Sequence, residues 1–131
     1  MRIKTKSKSK LTKAKEITSK TKQIVWERQN GVSILSGIAI TKEMCCCHYV
    51  GRGEKSGVGY EWNIVGLTPQ EHFQLDNNMP IEVNGRIRYT NEQAQTIIGN
   101  HLKLHYNGWT REKCSYIKYF DEKDYGITRK E

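Results

Sequence analysis

The chain lacks the material for a membrane span, a disulfide scaffold or a large core. No segment approaches the roughly 20 apolar residues that a bilayer crossing needs. Hydrophobic residues make up 36% of the 131, enough for one modest core, so a single domain is expected. No apolar stretch follows the basic start of the chain, which therefore does not read as a secretory signal. Cysteine is scarce and clustered: of four, three are adjacent at Cys45-Cys46-Cys47. Neighbouring cysteines rarely bridge each other, so no disulfide framework is expected, and reduced thiols fit a cytoplasmic setting. Glycines 51, 53, 57 and 59 mark a flexible loop, but no Gly-Lys-Ser/Thr follows to make it a phosphate-binding loop. No internal repeat is found.

Charge is present but uneven. Residues 1–22 hold nine Lys or Arg against the single acid Glu16, and the remainder of the chain is balanced. Residues 1–22 therefore read as a basic, flexible arm preceding a domain over 23–131. Lys4, Lys6, Lys8 and Lys10 alternate with small polar residues, a pattern of disorder. Such an arm attracts phosphates without regard to sequence. The plainer reading is a solubilising tail.

A helix is plausible from about Leu11 to Arg28, and Asn30-Gly31 then turns the chain. Ile38–Ile40, Met44–Val50 and Tyr60–Leu67 read as strand material. Thr68-Pro69-Gln70-Glu71 is the clearest local signal. Thr68 and Glu71 can cap each other's amides, with Pro69 at the first helical position. His72 then lies in the first turn and Asp76 shares its face. Asn77, Asn78 and Pro80 end that helix, and Gly85 marks a further turn. A second helix is expected over Asn91–Tyr106, with Ala94, Ile97, Ile98, Leu102 and either Leu104 or Tyr106 inward. Thr110 can cap a short helix through Ile117, and Gly126 and Lys130 read as polar tail. Trp26, Trp62 and Trp109 read as core, and His101 and His105 as packing.

Three residues at fixed spacing carry the chemistry. Fourteen residues separate His48 from Asn63, and eight separate Asn63 from His72. Two strands and a helix would bring them together. Phosphodiester hydrolysis needs a base, a cation, and a group that holds the base in one tautomer. Neutral His48 can be the base. The Asn63 carbonyl can accept from its other ring nitrogen. His72 can bind a metal, Asp76 can ligate it or support His72, and Cys47 can supply a thiolate. Arg52 can contact the scissile phosphate or stay a solvated loop charge. Cys45 and Cys46 read as buried or incidental, because consecutive strand residues face opposite sides and cannot all converge on one ion.

On these residues the chain resembles the HNH endonuclease family with its ββα-metal fold. The matching runs are Cys47–Gly53, Gly57–Leu67 and His72–Asn77. Val25–Gly31 resembles the segment that precedes the motif in many members, and Leu102–Trp109 resembles the tail of small phage-encoded members. The resemblance spans roughly residues 22–120. It implies an α+β fold with flanking helices around a ββα-metal core, and hydrolysis of DNA with one divalent ion (Mg²⁺, Mn²⁺, Ni²⁺ or Zn²⁺). It also implies a phage setting in the host cytoplasm, with a phage protein as possible partner and no membrane. Two departures stand out. Many members carry Cys-x-x-Cys knuckles, whose places are held here by Val32–Gly37 and Leu67–Glu71. Cys47 stands where the family often has an acid or histidine, and thiolate favours softer ions such as Zn²⁺. The alternative is a degenerate HNH domain, a non-catalytic module that binds nucleic acid or protein.

Overall fold

Four short N-caps set the helices. A computed structural model describes residues 9–53 and 56–131. Ser9 accepts from the Thr12 amide to start α1 (Lys10–Lys15), and Thr18 accepts from the Thr21 amide to start α2 (Ser19–Arg28). The helix expected from Leu11 onward is therefore two helices. The carbonyls of Ala14 and Lys15 are turned outward at the break. The first accepts from the Gly59 amide at 2.7 Å, and the second lies 3.2 Å from Nε2 of His48. Within residues 10–22, expected to belong to the arm, α1 and the start of α2 form, and Ala14 lies in the core. Lys4, Lys6 and Lys8 lie outside the described residues.

Strands β1 (Cys47–His48) and β2 (Ile64–Val65) pair antiparallel, Cys47 opposite Val65 and His48 opposite Ile64. They are shorter than the expected strands, because residues 42–44 and 61–63 wind into single 3-10 turns. From β2 the chain passes to α3 (Pro69–Asp76), where the Thr68–Glu71 capping box forms as the sequence indicated. Hairpin β3 (Ile81–Val83) and β4 (Arg86–Tyr89) follows, turning on Asn84 and Gly85, both at positive φ. That pair is the favoured two-residue hairpin turn. Helix α4 (Asn91–His105) has its own capping box from Thr90 and Gln93.

Tyr106 is buried and Leu104 is exposed, which decides between the two inward candidates of α4. Thr110 makes no side-chain cap, and the turn after it ends at Cys114. The polar tail is folded. Strand β5 (Tyr106–Asn107) pairs with β6 (Thr128–Arg129), and Tyr125 is buried among Tyr60, Trp62 and Phe120. The fold is thus α+β, with helices around small antiparallel pairs. One apolar cluster joins Val65, Leu67, Ile98, Leu102 and Trp62; a smaller one joins Val25, Ile40, Cys45 and Ile64. No helix among the described residues is long and apolar enough to cross a membrane.

Candidate functional site

The β1–β2 pair and α3 bring the chemistry-bearing residues to one region. Cys47 and His48 are consecutive on a strand, so their side chains leave opposite faces. Cys47 is buried. His48 is half-buried and lines a shallow cleft of about 510 Å³ with Glu16, Ile17, Lys22, Cys46 and Arg52.

The tautomer of His48 follows from its partner. A carbonyl only accepts, so Nε2, 3.2 Å from the Lys15 oxygen, carries the proton. Nδ1 is then the basic nitrogen. Burial holds the His48 pKa below its ordinary value; the Lys15 carbonyl opposes this, and Arg52 reinforces it. The ring is therefore neutral near pH 7, as a base must be. Asp76 and His72 also perturb it, so all three belong to one electrostatic neighbourhood.

Asn63 does not do what its spacing suggested. Its carboxamide accepts from Val50 N at 2.8 Å and donates to the carbonyls of Val50 and Val58 at 3.1 and 2.7 Å. All its hydrogen-bonding groups are engaged and it is fully buried. It clasps the two ends of the glycine-rich loop that carries Arg52. The group that orients His48 is the Lys15 carbonyl.

Cys47, His72 and Asp76 converge: one ligand atom from each lies within 4.8 Å of the others. Nε2 of His72 is 3.0 Å from Oδ2 of Asp76, one helical turn on. The group runs from the buried Cys47 through half-buried His72 to exposed Asp76, so an ion reaches it from solvent. Burial, then Asp76, push the Cys47 thiol well above its usual range, so ion binding displaces a proton there. Asp76 ends α3, whose last turn has no basic residue. A carboxylate at the negative end of a helix is unfavourable unless a cation offsets it. Thiolate, imidazole and carboxylate together can hold a divalent ion, and the set suits zinc.

Other candidates fall elsewhere. Nζ of Lys10 is 3.1 Å from the Tyr119 carbonyl and 3.2 Å from Asp121, so it is tied to the C-terminal segment. Arg52 is exposed at the cleft. His101 accepts from Arg28 Nε at 3.0 Å and is pushed down to about 3 by burial and the guanidinium, a packing role as expected. Cys46, which the sequence reads as buried or incidental, is half-buried, lines the cleft, and sits 4.0 Å from Nδ1 of His72. Its place two residues before His48, on the same side of an extended chain, was the available signal.

Compared with protein-family models, curated proteins and solved structures, the chain finds no match.

Proposed function

We propose that this protein is a metal-dependent endonuclease of the HNH type, hydrolysing DNA phosphodiester bonds with a ββα-metal core formed by β1, β2 and α3. The observation that carries the reading is the convergence of Cys47, His72 and Asp76, with a neutral histidine of defined tautomer, His48, next to Cys47 on β1. Cys47, His72 and Asp76 would hold the ion. Bound there, it would stabilise charge on the phosphate and the leaving oxygen. His48 Nδ1 takes a proton from the water that attacks phosphorus. Lys15 holds the ring, and Arg52 meets the phosphate from the loop clasped by Asn63. A further support is the buried 2.7 Å hydrogen bond from Ser33 to Glu71. It ties together the two segments that stand in place of the family's cysteine pairs.

Incubation with supercoiled plasmid and Mg²⁺, Mn²⁺, Ni²⁺ or Zn²⁺ tests this. Nicking should require a metal, stop with chelator, and fall by about 10²–10⁴ in His48→Ala. Nicking that survives His48→Ala or ignores chelator overturns it. The second reading, a non-catalytic binding module, is favoured by the full burial of Cys47 where an acid is usual. Salt-sensitive DNA binding by a chain that nicks with none of the metals would establish it.

A further inference from the structure

Hairpin β3–β4 combines three features that the hydrolysis reading leaves unused. First, it overhangs the body. Ile81 is buried and Tyr89 opposite it is partly so, yet Ile87, two residues nearer the tip on the Tyr89 side, is 67% exposed. The register shifts between Ile81 and Glu82, leaving Arg88 without a cross-strand partner, and residues 84–88 at the tip and along β4 are all exposed.

Second, the tip is cationic and unneutralised. Arg86 and Arg88 are exposed and flank Ile87 along β4. Neither has an ion-pair partner among the described residues, whereas Lys10, Lys22 and Arg129 are paired with carboxylates. Arg88 is held by its neighbour: Nε donates to the Tyr89 hydroxyl at 3.2 Å. The turn itself, Asn84-Gly85, is narrow.

Third, the base of the ribbon is locked to the helix of the metal cluster. Gln74 of α3 accepts from Glu82 N at 2.9 Å, and Asn91 donates to the carbonyls of Gln74, Leu75 and Met79. Both side chains are buried. These hydrogen bonds thus connect the ribbon to the helix that carries His72 and Asp76.

We infer that the β3–β4 hairpin is a duplex-DNA-reading element that enters the major groove, with Arg86 and Arg88 toward base edges or phosphates and Ile87 against apolar groove atoms such as thymine methyls. The major groove of B-DNA admits a two-stranded ribbon and offers guanine acceptors to arginine. The deep, narrow major groove of A-form RNA does not. The choice of DNA as partner rests on the hydrolysis reading above.

Anisotropy of a short labelled DNA duplex, titrated with the full chain in the presence of chelator, separates binding from cleavage. The Arg86→Gln/Arg88→Gln double variant should bind about tenfold or more weaker, with a shallower dependence of affinity on salt. Ile87→Glu should weaken binding comparably. Both should unfold thermally like wild type, since the altered side chains are exposed. Unchanged duplex affinity in these variants overturns the inference, as does no duplex binding by wild type, or an equal loss for single strands or double-stranded RNA. A chain that never nicks but loses duplex affinity on these substitutions leaves this inference standing and sinks the catalytic one. Nicking with unaltered affinity does the reverse.

Discussion

His48 and Asn63 show how residue type and residue position divide the work. The sequence marked both as partners, because histidine titrates near neutrality and a carboxamide can fix a ring. It could not show that a backbone carbonyl, that of Lys15, would take the orienting role, since every residue carries one. Asn63 instead satisfies three backbone groups of the loop at Val50 and Val58. Each buried group left unpaired costs about 1–3 kcal/mol. Asn63→Ala should therefore lower stability by about 3 kcal/mol or more, read from the midpoint of urea unfolding. A midpoint equal to wild type would contradict its role as a clasp. Cys46 reads as incidental in the sequence for a related reason: in an irregular segment before a two-residue strand, alternation is a weak guide.

At the scale of elements, legibility followed local chemistry. The Thr68–Glu71 capping box fixed the start of α3, and with it the depth of His72 and the face shared by Asp76. Thr68→Ala should cost about 1 kcal/mol and speed amide exchange in the first turn of α3; unaltered exchange would contradict this. The break between α1 and α2 was harder to see, because Thr18 is both a tolerable helix residue and a good cap. Its consequence is larger, since it frees the Lys15 carbonyl for His48. Gly59 permits the approach: a Cβ there would collide with the Glu16 carbonyl. Gly59→Ala should push the α1–α2 link away from His48. The expected result is a change in the His48 titration followed by NMR, together with loss of nicking. A wild-type titration would separate the link from the base. The folded C-terminal segment was illegible because Phe120, Tyr125 and Ile127 follow neither a helical nor a strand period among many polar residues.

Over the whole molecule, three depressed histidines contribute to the response to acid. His101 is held at about 3 in the fold against 6.5 when free. His48 and His105 are shifted the same way, each chiefly by burial. A depressed histidine means that the unfolded chain binds more protons, so stability falls as pH drops from 6.5 toward about 3. His101→Gln keeps an acceptor for Arg28 and removes the titration. Its unfolding temperature should decline less steeply with acid than that of wild type; an identical slope would contradict the assignment. The charge asymmetry of the sequence also takes a different form in the fold. Lys10 and Lys22 are bound to Asp121 and Glu43, whereas Arg86 and Arg88 of the hairpin have no ion-pair partner among the described residues.

Titration with Co²⁺, followed by visible and near-ultraviolet absorption, tests the metal centre most directly. One equivalent should bind, reversibly with chelator, giving a sulfur-to-cobalt charge-transfer band that vanishes in Cys47→Ser, while His72→Ala abolishes binding. Absence of stoichiometric binding, or a band unchanged in Cys47→Ser, would contradict a cation held by Cys47, His72 and Asp76 beside the imidazole of His48.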